Sequence, residues 1–147
     1  MKIAFSAPRS LVLLALPSLI AFSCGQPSYT DTDDAALLNF ERFYERFHSD
    51  SLFQISRIQF PLPGLPSNPS AAQLDGESYF HTLDEWRMHR RIDFDKEPGV
   101  TRDVESFGDI VNERICVNNT FCQLRRFYLR DDGWYLIHYD DLNMVRR

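Results

Sequence analysis

The chain has 147 residues and a net charge of −5, and 44% of its residues are hydrophobic. This length suits one domain of moderate size with a leader in front of it. Removal of residues 1–23 takes away Lys2 and Arg9 and leaves 14 basic and 21 acidic residues, a net charge of −7. An acidic chain without a basic stripe is not expected to bind nucleic acid, or to adhere to anionic lipid by surface charge alone.

The first 23 residues have the three-part pattern of a secretory signal peptide. Basic residues open the segment, and the apolar run 11–22 is too short for a comfortable membrane span. The stretch "AFSC" that ends at Cys24 resembles the lipobox of bacterial lipoproteins, in which the cysteine receives a diacylglycerol thioether before cleavage. We therefore predict a lipoprotein signal peptide over residues 1–23 and lipidation of Cys24. Conventional cleavage that leaves a free thiol on Cys24, or a retained membrane anchor, is the alternative.

A flexible tether and then an amphipathic helix are predicted after the leader. Residues 24–34 are polar and rich in Gly, Pro, Ser and Thr, as linkers are. A single α+β domain is predicted over residues 35–147. It opens with a helix, because apolar residues recur there at helical spacing. The members of this stripe are Leu37, Phe40, Phe43, Tyr44 and Phe47. Such a stripe is typical of a helix that packs on a sheet.

The middle of the chain predicts short elements between turns. Residues 51–60 fit a strand, or a short helix followed by a strand. The proline-rich run 61–66 is not expected to continue a ladder, because proline lacks an N–H donor. The Thr-Leu-Asp-Glu stretch at 82–85 has the capping-box pattern. It predicts a short helix that carries Trp86 and ends near Arg90.

The last third of the chain predicts an antiparallel β-meander. Three apolar runs follow one another there, at 109–117, 121–130 and 134–142. The turn sequences Asn-Asn-Thr and Asp-Asp-Gly separate them. A three-residue loop at 118–120 places Cys116 opposite Cys122, close enough for a disulfide outside the cytoplasm. We predict that disulfide, with two free thiols as the alternative.

Two stretches carry a resemblance to a known family. They are "FERFYERFHSDSLFQISRIQFPL" and the late strand "DDGWYLIHYDDL". Together they resemble a family of uncharacterised lipoproteins from Gram-negative gut anaerobes with a nuclear transport factor 2-like (NTF2-like) fold. The resemblance covers residues 35–143. It implies an α+β fold in which an N-terminal amphipathic helix packs on a curved, cone-like antiparallel sheet that ends in the meander.

The last strand supplies the candidate site residues. Strict alternation places Trp134, His138 and Asp140 on one face, where Asp140 or His138 would act as a general base in an open cone. Tyr135 and Tyr139 lie on the other face. These two tyrosines and Trp134 are the candidate ligand contacts. We predict no metal site and no cofactor, because no ligand cluster or phosphate loop with the required spacing occurs.

These features predict a lipid-anchored cell-envelope protein, on the periplasmic face or the outer surface, that is a non-enzymatic binding or accessory module. One alternative is a small cone-fold enzyme of the isomerase, dehydratase or hydrolase type with Asp140 or His138 as base. Another is a structural module that forms a homodimer. The expected partner is an unknown small ligand or an envelope protein. A deep pocket around Asp140 or His138 favours the enzyme, whereas a cone filled by the aromatic helix and Trp86 favours binding through the outer surface.

Overall fold

The computed structural model describes residues 29–145, with side chains from residue 37 onward. The predicted signal peptide, Cys24 and the first part of the predicted tether lie outside the described residues. The elements in chain order are α1 (Tyr29–Ser49), α2 (Ser51–Ser56), β1 (Leu62–Leu65), α3 (Ala71–Leu74), β2 (Tyr79–His81), β3 (Val100–Phe107), β4 (Ile110–Val117), β5 (Phe121–Arg130) and β6 (Gly133–Met144). Because α1 begins at Tyr29, residues 29–34 of the predicted tether are helical. Among the described residues, no helix combines the length and apolar character needed to cross a bilayer.

The six strands form one curved, mixed sheet in the order β2-β1-β6-β5-β4-β3. Strands β3 to β6 are an antiparallel meander, which confirms the three predicted runs and adds β3, which was not predicted. The prediction of a wholly antiparallel sheet is wrong, because β1 runs parallel to β6 and pairs Gly64 with Tyr139. Parallel pairing needs a long connection, and here the chain between the two strands includes three further strands of the meander.

Strand β1 also contradicts the expectation that the run 61–66 stays out of the sheet. Pro63 pairs with Phe80 of the edge strand β2 and has no ladder partner on β6. Its missing N–H therefore falls where the sheet tolerates proline. The next residue must be glycine, because a Cβ on Gly64 would lie 1.7 Å from the backbone oxygen of Tyr139.

The β4–β5 hairpin has the predicted register. Asn118 and Asn119 have φ values of 49° and 53°, in the left-handed region that asparagine tolerates in tight turns. Cys116 lies opposite Cys122 in the ladder, and the two form a disulfide. The predicted pairing is confirmed.

Segment 82–93 differs from its prediction, because the structure has no helix there. A turn at 83–85 leads into an extended chain. The Thr82 hydroxyl donates to the Glu85 carboxylate and so does not cap a backbone N–H. A capping box does occur, between Ser70 and Gln73 of α3, where it was not predicted.

The core lies between α1 and the concave face of the sheet. Its buried members are Phe40, Phe43, Tyr44, Phe47, Ile58, Leu62, Val111, Phe127, Trp134, Leu136 and Tyr139. Phe127 of β5 is at the centre, since its ring centroid lies 5.0 Å from that of Phe40, 5.8 Å from Phe43 and 5.7 Å from Phe47. The aromatic stripe of α1 thus meets the sheet. Trp86 is half-buried and packs against the margin of this core.

Truncation of Phe127 to Ala should lower the free energy of unfolding by about 3–5 kcal/mol, because it removes a buried ring and leaves a cavity. Phe107→Ala on β3 is the matched control, since its side chain is 56% exposed and should change stability little. Urea denaturation of both variants measures the difference. Equal midpoints for the two variants would contradict the central position of Phe127.

Candidate functional site

A β-bulge in β6 decides which of its side chains face the core. The β5–β6 register shifts between Arg126 and Phe127, where Ile137 is an extra residue on β6. An extra residue exchanges the two faces of the strand beyond it. Trp134 therefore faces the core before the bulge, and Tyr139 faces it afterwards.

The bulge places both predicted general bases on the sheet face opposite the core. His138 and Asp140 pair with Arg126 and Leu124 of β5, which alternate with the core-facing residues. His138 Nε2 lies 2.9 Å from Asp140 Oδ1, and both side chains are partly exposed. The prediction that they share a face with Trp134 is wrong, because strict alternation does not allow for the inserted residue.

The three predicted aromatic ligand contacts are separated as well. Trp134 is buried, with its ring 5.3 Å from that of Phe40 in an edge-on contact. Tyr135 belongs to the opposite sheet face, where its hydroxyl donates to Asp132 at 2.7 Å. Of the three, Tyr139 alone lines a cavity on the concave side.

A buried ion network lies on the concave face beside the aromatic core. Glu113 of β4 and Arg125 of β5 are cross-strand partners, and their exposed fractions are 0% and 2%. Arg102 Nε donates to Glu113 Oε1 at 2.5 Å. Arg125 Nε lies 2.7 Å from Oε2 as an ion pair that is not aligned as a hydrogen bond. Two guanidinium groups thus compensate a carboxylate that has no access to water.

Side chains from α1 and from segment 82–93 complete the network around Arg125. Its Nη1 lies 2.8 Å from His48 Nε2 and 3.4 Å from His89 Nδ1. His48 Nδ1 lies 2.9 Å from the backbone oxygen of Tyr44 and donates to it, which leaves Nε2 free to accept from Arg125. Burial, and then the charge of Arg125, lowers the pKa of His48 to about 4 and that of His89 to about 3. Both imidazoles are therefore neutral at pH 7.

Gln54 of α2 holds segment 82–93 against α1. Its Nε2 donates to the backbone oxygens of Phe47 and His89 at 2.7 and 2.8 Å. Its Oε1 accepts from the backbone N–H of His89 at 2.9 Å and from the Trp86 indole at 3.3 Å. All four hydrogen-bonding positions of this buried amide are used. This one side chain therefore positions both Trp86 and His89.

A pocket of about 450 Å³ opens between this segment and strands β2 and β6. We call it the aromatic pocket. Its lining includes five residues with aromatic rings, Tyr79, His81, Trp86, His89 and Tyr139, and the acidic residues Glu85 and Asp141. His81 Nε2 lies 3.0 Å from the backbone oxygen of Tyr139, and the Tyr139 hydroxyl donates to Asp141 at 2.8 Å. Chemically, these walls suit a ligand held by contact with aromatic rings and by negative charge.

No group of three or more His, Cys, Asp or Glu side chains within residues 29–145 is arranged to hold a metal ion.

The ion network can be predicted from the sequence to a greater extent than the aromatic pocket. The loop that places Cys116 opposite Cys122 also places Glu113 opposite Arg125, and facing opposite charges stabilise a ladder. The sequence therefore carries a signal for the Glu113–Arg125 pair, which was not predicted. His89 gave no such signal, because its position depends on the extended segment that Gln54 holds.

His48→Gln should make stability less dependent on pH. The folded protein resists protonation of His48, whereas the unfolded chain takes up a proton near pH 6.5, so stability falls as the pH drops from 6.5 to about 4. In the His48→Gln variant, the free energy of unfolding should fall less steeply as the pH drops, by about 1.4 kcal/mol per pH unit over that range. Urea denaturation at several pH values measures both slopes, and carboxylate titration affects both proteins alike. Parallel slopes would contradict the burial of a neutral His48.

Comparisons with known proteins identify the fold. No family model matches the chain, and no curated protein matches it. Among solved structures, it is similar to an NTF2-like protein from Bacteroides fragilis NCTC 9343, with 19% identity and a TM-score of 0.51 over 73% of this chain and 47% of that one. This chain thus spans about half the length of that protein.

Two further similarities are to smaller proteins that the chain covers almost fully. An NTF2-like protein from Cytophaga hutchinsonii ATCC 33406 has 13% identity and a TM-score of 0.41, over 76% of this chain and 97% of that one. An NTF2-like protein of unknown function from Shewanella baltica OS155 has 11% identity and a TM-score of 0.37, over 78% and 95%. With its curved, mixed six-stranded sheet, this chain has an NTF2-like fold.

Proposed function

We propose that this protein is a lipid-anchored module of the cell envelope that binds a small ligand in the aromatic pocket and does not catalyse a reaction. The observation that carries the proposal is the pocket itself, a concave space of about 450 Å³ whose lining includes five residues with aromatic rings. Concave sites that combine aromatic side chains with placed polar groups are where small ligands bind. Fold alone does not select a function, so the proposal depends on this site.

The distribution of side chains supports binding over catalysis. His138 and Asp140 were the candidate bases, and they lie on the sheet face away from the pocket. The part of the cone beneath α1 is filled by aromatic core, which was expected to favour binding through the outer surface. The aromatic pocket instead offers a binding place on the concave side, beyond the end of that core.

The proposed location at the cell envelope depends on the predicted signal peptide and on Cys24. The "AFSC" stretch follows an apolar run of signal-peptide length, and the chain after it is acidic. Each buried methylene of an attached acyl chain contributes about 0.8 kcal/mol to membrane binding, and two or three chains give a durable anchor. A ligand-binding domain would in this way be retained at the membrane surface.

Replacement of Cys24 by Ala should move the protein from the membrane fraction to the soluble envelope fraction, because no acyl chain can then be attached. Ser23→Ala is the matched control, since it keeps a small residue before the cysteine. Cell fractionation and mass spectrometry of the N-terminus measure the outcome. Wild-type protein recovered in the soluble fraction with an unmodified Cys24 would disprove the anchor.

The aromatic pocket should take up a small molecule from an extract of cells that express the protein. We expect amide resonances of pocket residues to shift when the extract is added to the ¹⁵N-labelled Cys24→Ala protein. Trp86→Ala should abolish these shifts, whereas Tyr135→Ala, on the opposite sheet face, should retain them. Well-dispersed spectra confirm that each variant is folded. Absent shifts, or shifts that Trp86→Ala leaves unchanged, would contradict binding in this pocket.

A further inference from the structure

We infer that the aromatic pocket recognises an organic cation, specifically a quaternary or methylated ammonium group. This inference rests on the proposed function, because it names the class of ligand for the same pocket. Three features of the described residues carry it: the clustering of rings, the carboxylates beside them, and the way nearby positive charges are compensated.

The rings of the pocket form one contiguous cluster. The Trp86 centroid lies 4.6 Å from that of His89 and 5.4 Å from that of Tyr139. The His81 centroid lies 5.0 Å from Tyr139 and 4.9 Å from Tyr79. A cation within about 6 Å of a ring centroid is attracted to the electron-rich face, most strongly for Trp and Tyr. Rings packed this closely can therefore act on one bound ammonium group together.

Two carboxylates add negative potential to this cluster. Asp141 accepts the Tyr139 hydroxyl at 2.8 Å, so its charge is held at the wall of the pocket. Burial, followed by the charges of Glu85 and Asp141, raises the pKa of Tyr79. Both carboxylates thus act on the same ring, and the potential that disfavours a tyrosinate favours a cation.

The positive charges near the pocket oppose these carboxylates only in part. Arg125 lies behind Tyr139 and His89 and acts on both rings, and its ion pair with the fully buried Glu113 weakens this effect. His89 is neutral, because burial and Arg125 lower its pKa to about 3. Arg87 is the cationic residue of the lining; its side chain and that of Glu85 are both exposed, so solvent screens these two charges alike, and the partly buried Asp141 supplies the remaining negative charge.

The aromatic walls distinguish an alkylated ammonium from a primary amine. A primary ammonium is compact and strongly hydrated, so rings replace its water poorly. Methyl groups spread the charge over an apolar surface that can contact several rings at once, as in aromatic cages for choline and methyl-lysine. A cavity of about 450 Å³ holds such a group and leaves room for the rest of the ligand.

The decisive experiment compares choline with its uncharged carbon isostere, in which a tert-butyl group replaces trimethylammonium. Calorimetric titration of the Cys24→Ala protein should show choline binding, with the isostere at least about tenfold weaker because it has the shape without the charge. Methyl glucoside is titrated in parallel as a neutral ligand that also stacks on aromatic rings. Amide shifts locate each binding event.

Neighbouring aspartates on β6 provide a matched pair of variants. Asp141→Asn should weaken choline binding about tenfold and leave binding of the isostere unchanged, since only an electrostatic attraction is removed. Asp140→Asn makes the same chemical change one residue away, on the opposite sheet face, and should weaken choline binding much less, because the charge of Asp140 acts less strongly on Tyr139 than that of Asp141 does. If Asp141→Asn fails to fold, Glu85→Gln serves in its place, because the Glu85 side chain is exposed.

The inference is overturned if choline and its isostere bind equally, or if the two aspartate variants have the same effect. It is also overturned if choline fails to bind while methyl glucoside or the cell extract shifts the pocket resonances. In that last case the proposed binding function stands and only the ligand class is wrong. Loss of the extract-induced shifts themselves would instead contradict the proposed function.

Discussion

The buried pair of Glu113 and Arg125 is the constraint on which the rest of the domain depends. Neither side chain reaches water, so every polar atom of the pair must find its partner within the protein. Strand β3 supplies Arg102, and helix α1 supplies His48. The extended segment contributes His89. The helix, the sheet and this segment therefore meet at Arg125. Misplacement of the strands would leave a buried charge without compensation, and misplacement of the helix or the segment would leave buried N–H groups without acceptors.

This pair also divides the concave face into two regions. On one side, Phe127 is fully buried and is surrounded by the phenylalanines of α1. On the other side, two residues further back along β5, Gln123 lines the aromatic pocket beside Tyr139. Helix α1 covers the first region, and segment 82–93 covers the second less completely.

The bulge at Ile137 gives β6 two different surfaces along its length. Before the bulge, Trp134 lies in the aromatic core, and beyond it Tyr139 belongs to that core and also lines the pocket. His138 and Asp140 are consequently turned to the other face, where they contact each other. A strand without the extra residue would have placed a carboxylate and an imidazole inside the cone. One inserted residue thus decides that Tyr139, and neither His138 nor Asp140, lines the aromatic pocket.

The sequence by itself determined the features that depend on local geometry. Helical spacing identified the α1 stripe, and the Asn-Asn turn identified the β4–β5 register and with it the disulfide. The parallel β1–β6 pair, the bulge and the extended path of segment 82–93 were decided only by the tertiary structure. Each depends on a contact between residues distant in the chain, such as Gln54 with His89, some 35 residues apart. Turn and periodicity signals act over a few residues, so they cannot specify contacts that form only once the sheet and helix have met.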